Sequence, residues 1–306
     1  MARYLLVALI SFMLILNVLG SASFTVINKC NHTVWPAILS NPTTGVSPLI
    51  TTGFQLQKDE SKNVTVPLPW TGRLWGRTNC GKNSTGGFSC VTGDCGSGKL
   101  ECSGRYGQPP TTLAEFSLAA ADTERDFYDV SFVLGFNLPM LVVPESGNCT
   151  TTGCAMNLNG VCPNELKELS QDGIRVGCRS ACEALREPQY CCTGAYNTPN
   201  TCKPTPYSEF FKNACPRAYS YAYDDDTGTF TCASTNYVIT FCPPLPTIKK
   251  PTENPEAAAP AGGGESLDPV SSSSSPMSVS FVQFLGGAVS LFISTKMFGH
   301  VPPKKK

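Results

Sequence analysis

The chain has 306 residues, 23 Lys and Arg against 23 Asp and Glu, and 16 cysteines against two histidines. From Phe24 to Cys242 it carries 16 basic and 19 acidic residues, a net charge of −3, which excludes a polybasic nucleic-acid surface. No C-x-x-C pair occurs, and the histidines stand apart at His32 and His300, so a zinc site lacks its ligand spacing.

The opening segment reads as a cleaved secretory signal over residues 1–23. Arg3 supplies the positive end, Tyr4 to Leu19 is almost wholly apolar, and Ser21, Ala22 and Ser23 are the small residues that cleavage requires. As a retained anchor the apolar run is short of the roughly 20 residues a span needs. Secretion decides what the cysteines mean. All lie between Cys30 and Cys242, and an even number in an oxidising compartment reads as eight disulfides. The cysteines of CVTGDCGSGKLEC (90–102) are therefore read as staples rather than ligands. Cys191 and Cys192 are adjacent, and a bond between neighbours is badly strained, so each needs its own partner. Four N-x-[ST] sequons, at Asn31, Asn63, Asn83 and Asn148, are candidate glycan acceptors.

Short strands are expected at FTVIN (24–28), NVTVPL (63–68), RLWGRT (73–78), TLAEFSLA (112–119) and DFYDVSFVLGF (126–136). β-Branched and aromatic residues alternate there between Gly-, Pro- and Asn-rich turns, which points to an antiparallel β-sandwich or barrel. From about Cys149 to Pro216 the pattern changes to a cysteine-dense lobe. Helical spacing is seen at NELKELSQ (164–171), CRSACEALRE (178–187) and YSEFFKNAC (207–215), each too short to be stable alone. TFTCASTNYVITFC (229–242) returns to strand character, and a terminal strand rejoining the first sheet would bring Cys242 near Cys30.

Residues 243–275 are rich in Pro, Ala, Gly and Ser and read as a disordered stalk. Residues 276–306 hold a moderately apolar run. Small residues, a spacer and a hydrophobic tail form the signal for a glycosylphosphatidylinositol anchor, with attachment expected near Ser271. Lys296 and the terminal lysines favour the rival reading, a weak spanning helix with its positive end inside the cell.

GGFSCVTGDCGSGKLEC closely resembles the signature of the thaumatin-like proteins, the plant pathogenesis-related and sweet-protein family. Further blocks resemble it in order: FTVINKCNHTVWPA, GRLWGRTNC, GQPPTTLAEFSL, DFYDVSFVLGFNLPM, QYCCTG, YSEFFKNACPRAYSYAYDDDTGTFTC and NYVITFC. The resemblance runs from Phe24 to Pro243 and includes all sixteen cysteines, with the domain set at 24–242. It implies a mainly β fold, a sandwich with a disulfide-rich lobe carrying short helices. It also implies the pairs Cys30–Cys242, Cys80–Cys90, Cys95–Cys102, Cys149–Cys232, Cys154–Cys215, Cys162–Cys178, Cys182–Cys191 and Cys192–Cys202.

The family's acidic cleft, carried over by motif, falls on Arg73 in GRLWGR, Glu115 in TLAEF, Asp129 in FYDVS and Asp224 (or Asp225) in YDDDTG. Its remaining aspartate, just before GFN, is Leu134 here. The resemblance implies a cleft that binds β-glucan or a related wall polysaccharide at the outer face of the plasma membrane or in the apoplast. Glu115 as acid and Asp129 as base would instead make a weak endo-β-1,3-glucanase, since glycoside hydrolysis needs two carboxylates across the bond. A membrane-perturbing antifungal protein is the third reading. No cofactor, metal or nucleic acid is expected, and the chain is expected to be a monomer.

Overall fold

The computed structural model describes residues 20–41, 49–120, 124–233 and 235–245. Residues 1–19 of the expected leader, residues 246–275 of the expected stalk, the hydrophobic tail and Ser271 lie outside them. In chain order the strands are β1 (Ser21–Asn28), β2 (Trp35–Ser40), β3 (Ser61–Pro67), β4 (Trp70–Lys82), β5 (Phe88–Thr92), β6 (Leu113–Leu118) and β7 (Arg125–Ser131). They continue with β8 (Met140–Pro144), β9 (Thr152–Cys154), β10 (Lys167–Leu169), β11 (Arg175–Cys178), β12 (Phe230–Ala233) and β13 (Tyr237–Phe241). Among the described residues four short α-helices accompany them: α1 (Ala181–Leu185), α2 (Pro188–Cys191), α3 (Pro206–Ala214) and α4 (Asp225–Gly228).

Two sheets form the sandwich, one in the order β3-β1-β13-β8-β9 and the other β12-β7-β6-β4-β2, with β5 paired to the far half of β4. The alternation of each strand sends one set of side chains inward. Phe24 from the first sheet meets Phe116 from the second at 4.6 Å between centroids, and Tyr237 meets Phe116 at 5.1 Å. Such pairs add about 0.5–1.5 kcal/mol each beyond their buried area. Gly76 lies on this inner face, where an added Cβ would come within 2.9 Å of Leu138 and 3.0 Å of Phe241. Its missing side chain lets the sheets approach. The Tyr237 hydroxyl donates to Asp126 at 2.9 Å and so ties β13 to β7 across the core.

The expected antiparallel arrangement holds for every strand pair but one. β13 runs parallel to β1, in a register from Phe24↔Tyr237 to Asn28↔Phe241. Parallel strands leave a sheet at the same end, so Cys30 and Cys242 emerge together and close a bond across 212 residues. β1 also starts earlier than Phe24: Ser21 faces Pro67, and Ala22 is buried opposite Val66. β2 (WPAILS) is not among the expected strands, and it carries a proline. As the edge strand beyond β4 it tolerates one.

The other disulfides are Cys80–Cys90, Cys95–Cys102, Cys149–Cys232, Cys154–Cys215, Cys162–Cys178, Cys182–Cys191 and Cys192–Cys202, the pairs the family resemblance implies. Cys182–Cys191 joins α1 to α2, and Cys192, left-handed at φ 52°, sends the chain away to Cys202.

Of the three helical patterns, two form helices. α3 starts at a capping box in which Thr205 accepts from the Ser208 amide and Ser208 accepts from the Thr205 amide, with Pro206 next. α1 is capped by Ser180 and stopped by left-handed Arg186. The third, NELKELSQ, is not a helix. It makes one 3₁₀ turn (Asn164–Leu166) and then strand β10, paired with β11 from Lys167↔Cys178. Cys162–Cys178 pins the two chains side by side, and the turn at Gly173 (φ 74°) folds them back within six residues of Lys167. Tertiary pairing overrides a weak local preference here.

Candidate functional site

The second sheet has an inner face in the core and an outer face that carries the candidate residues. β4, β6 and β7 are neighbours, and their register sets Arg73 opposite Glu115 and Glu115 opposite Asp129. Three residues far apart in sequence thus form one row across three strands, with side chains within reach of one another. Arg73 Nη2 lies 3.5 Å from Glu115 Oε1, the side chains being 16% and 25% exposed. Asp129 is only 8% exposed. Arg73 Nε is buried and has no hydrogen-bond partner among the described residues, so it has donor capacity left.

Two further features belong to this face. The Tyr106 ring covers the Arg73 guanidinium at 5.5 Å and is 41% exposed. Its neighbour Gly107 sits so close to Trp75 that a Cβ would fall 2.5 Å from the indole Nε1. Tyr106 was not among the residues picked from sequence; an aromatic in the Gly/Pro-rich RYGQPP loop was the available signal. Beside the row lies an apolar cluster of Ala37, Leu39, Trp75, Leu113 and the Cys95–Cys102 bond, with Leu134 packed against it. Leu39 is directly opposite Arg73, and Trp75 is opposite Leu113, so the charged row lies beside a buried apolar cluster on one face of the sheet. Arg77, fully buried, donates to the carbonyls of Trp35 (3.0 Å) and Leu100 (2.7 Å), holding the disulfide loop over β2.

Asp224 has a different setting from the row. It is 7% exposed. Its Oδ2 accepts from the Ser220 amide and hydroxyl, each at 2.8 Å, and pairs with Lys212 Nζ at 2.7 Å. Its Oδ1 accepts from the Thr227 hydroxyl. The neighbouring Asp225 accepts from the Tyr219 hydroxyl. Tyr219 links this loop to the row, because its amide donates to Val130 O and its carbonyl accepts from Phe132 N, alongside β7. Burial first, then the bond to Asp225 and the fields of Asp225, Asp129 and Asp224, push the Tyr219 phenol far above its ordinary value. A neutral tyrosine is therefore fixed among three carboxylates.

The arrangement suits polyhydroxyl recognition. Carboxylates accept from sugar hydroxyls, Arg73 donates, and the exposed Tyr106 ring offers a surface for the C–H face of a sugar. It suits proton transfer less well. Glycoside hydrolysis needs a free carboxylic acid at the leaving group, and Glu115 is engaged by Arg73 at 3.5 Å. Among the described residues no group of three or more His, Cys, Asp or Glu side chains could hold a metal ion. No described helix is long and apolar enough to cross a membrane. The sequon residues Asn31, Asn63, Asn83 and Asn148 are all exposed.

A profile of the thaumatin family matches residues 28–243. Over 226 residues the chain is 55% identical to a thaumatin-like protein 1 of Pyrus pyrifolia, covering 73% of this chain and 91% of that one. Over 230 residues it is 54% identical to a PR5-like receptor kinase of Arabidopsis thaliana, covering 73% of this chain and 34% of the kinase. Over 249 residues it is 50% identical to a glucan endo-1,3-beta-glucosidase of Prunus avium, covering 79% of this chain and 100% of that one.

Proposed function

This chain belongs to the thaumatin family of defence-related proteins, and from that premise we propose that it binds β-glucan or a related wall polysaccharide outside the cell. The observation that carries the reading is the partly buried row Arg73–Glu115–Asp129 on the outer face of the second sheet, flanked by the exposed Tyr106 ring. Hydroxyls of the polysaccharide bond to the row, and ring faces stack on Tyr106. Asp224 acts one step back: bonded to Lys212 and Ser220, it positions the loop that carries Tyr219 against β7. The test is retention of the purified protein on insoluble β-1,3-glucan. Wild type is retained and Arg73→Ala is lost from the pellet; a wild type left wholly in the supernatant refutes the reading.

A second reading, weak endo-β-1,3-glucanase, has one observation behind it. Glu115 and Asp129 are directly opposed carboxylates, and a relative half identical in sequence bears that enzyme's name. Release of reducing ends by wild type, lost in Glu115→Ala, would support it. Equal release by both would sink it.

Secretion and tethering complete the proposal. The leader directs the chain outward, and cleavage after Gly20 would leave β1 whole, whereas cleavage after Ala22 removes a residue buried in the sheet. N-terminal sequencing reads which occurs. A lipid attached near Ser271 holds the domain at the outer face of the plasma membrane. Phosphatidylinositol-specific phospholipase C should then release it, while release failing with the tail still detected favours a spanning helix.

A further inference from the structure

We propose that Asn63 carries an N-linked oligosaccharide that covers the open edge of the first sheet, an inference that rests on the secretion reading. The site is the sequon Asn63-Val64-Thr65 in the middle of β3, the end strand in the order β3-β1-β13-β8-β9. Val64 and Val66 are buried in the sandwich, while Asn63 and Thr65 are exposed on the opposite face.

Hydrogen bonds at the two ends of the β1–β3 pair fix its phase. The Asn28 amide donates to Glu60 O at 2.9 Å, and the Leu68 amide donates to Gly20 O at 2.9 Å. Opposed residues in an antiparallel pair alternate between bonded and non-bonded, and the register is unbroken from Ile27↔Ser61 to Ser21↔Pro67. Lys62, Val64 and Val66 therefore turn their backbone groups to β1. Ser61, Asn63, Thr65 and Pro67 turn theirs outward, where Pro67 has no N–H to leave unpaired. The amides of Ser61, Asn63 and Thr65 thus face away from the sheet, with the carbonyls of all four.

Such an edge is a template for another strand, the more so with β-branched Val64, Thr65 and Val66 in a row. The other sheet ends are managed differently. β9 and β12 are short and tied down by Cys154–Cys215 and Cys149–Cys232, and β2 is bridged at Ala37 to Gly53. Among the described residues no strand or bridge lies on the outer side of β3. Lys62, the strand's one charge, lies over the Phe54 ring at 4.6 Å. An oligosaccharide on Asn63 leaves the pairing with β1 intact and sets a bulky, hydrated group beside the outward amides. Asn83 differs. Its Oδ1 accepts from the Thr85 amide and hydroxyl and from the Gly87 amide, so a sugar there would cover a hairpin tip and no open edge.

Transfer joins Asn63 Nδ2 to the anomeric carbon of a lipid-diphosphate-linked oligosaccharide. The bond from that carbon to the diphosphate oxygen breaks, the lipid diphosphate leaves, and one Nδ2 proton passes to water. The step belongs to the secretory lumen, before β13, the last strand in the chain, completes the sheet.

The experiment is glycopeptide mass spectrometry of the full-length protein secreted by plant cells, then light scattering of the purified protein during incubation. Wild type should carry the sugar at Asn63 and stay monomeric, as should Thr65→Ser, which keeps the sequon. Asn63→Gln and Thr65→Ala each remove the sequon and should lose monomer to aggregates. Asn63→Lys lacks the sugar but sets a charge on the edge, and should stay monomeric. Thr85→Ala, which removes the sequon at Asn83, should also stay monomeric. Where a variant fails to fold, endoglycosidase trimming of folded wild type to one sugar ring should produce the same loss of monomer. A secreted wild type bare at Asn63 overturns the inference and leaves secretion standing. So does a sugar at Asn63 whose removal leaves the protein monomeric. A chain kept in the cytosol and bare at every sequon refutes both readings.

Discussion

Removing the Asp224 carboxylate separates a positioning role from a ligand-binding one. In Asp224→Ala three hydrogen bonds and an ion pair disappear: those from the Ser220 amide, the Ser220 hydroxyl and the Thr227 hydroxyl, and the contact with Lys212. Breaking a buried pair by deleting one partner costs about 3–5 kcal/mol. Lys212 keeps two carbonyl acceptors, Ala218 O at 2.7 Å and Pro216 O at 3.3 Å, and its side chain is 23% exposed. The stranded ammonium is thus partly compensated, which places the loss near about 3 kcal/mol. At about 2–4 °C per kcal/mol for a domain of this size, the expected drop in Tm is about 6–12 °C, read by differential scanning calorimetry. Asp224→Asn should recover part of it, since its amide oxygen can still accept from Ser220 and Lys212 while its NH2 donates to the Thr227 hydroxyl, and only the charge is lost. Below its melting temperature, folded Asp224→Ala should still be retained on β-1,3-glucan. A Tm within about 2 °C of wild type, well under the loss of one buried charged hydrogen bond, would refute the structural accounting. An unchanged Tm with lost glucan binding would show that Asp224 contacts ligand.

Glu101 makes stability depend on pH. Burial works against its ionisation, but hydrogen bonds from Thr52 (2.5 Å and 2.7 Å), Thr51 (3.0 Å) and the Gly53 amide outweigh it, so its carboxyl is held below its ordinary value. A depressed folded value stabilises above the unfolded one, about 4.3, and that contribution is lost as pH falls through the folded value. The Tm gap between wild type and Glu101→Gln should be widest at neutral pH and close in acid; a gap independent of pH counts against this. Thr205→Ala removes the cap of α3 and should cost about 1 kcal/mol, or about 2–4 °C in Tm. Gly107→Ala drives a methyl into Trp75, whose indole donates to Gly93 O at 2.8 Å, and should cost about 1–3 kcal/mol with a shift in tryptophan emission. Unchanged Tm and emission would show that the Tyr106 loop can move aside.

Much of the fold was legible because its signals are local. Alternation along FTVIN, TLAEF and FYDVS is a property of each strand alone, and it predicts which residues face the core. The Thr205-Pro206 start of α3 is likewise written in adjacent residues. Adjacent Cys191 and Cys192 must part company whatever surrounds them. The NELKELSQ segment shows where this stops. Its spacing allows a helix, and only the partner strand around Cys178 decides for β10.

The candidate site belonged mostly to the second kind. Arg73, Glu115 and Asp129 could be named from motifs, but nothing local says that they are consecutive neighbours across three strands. That is a matter of register, and a slip of one residue would turn each to the other face. The parallel pairing of β13 with β1 is decided in the same way, by long-range contacts. So are the placing of Tyr106 over Arg73 and the tying of Asp224 to Lys212. Sequence by itself determined the residue types, the periodicities and the turn chemistry of this protein, because these act over a few residues. Tertiary structure alone decided which acids share a face and which are consumed holding a loop, because charge and hydrogen bonding act through space between segments far apart in the chain.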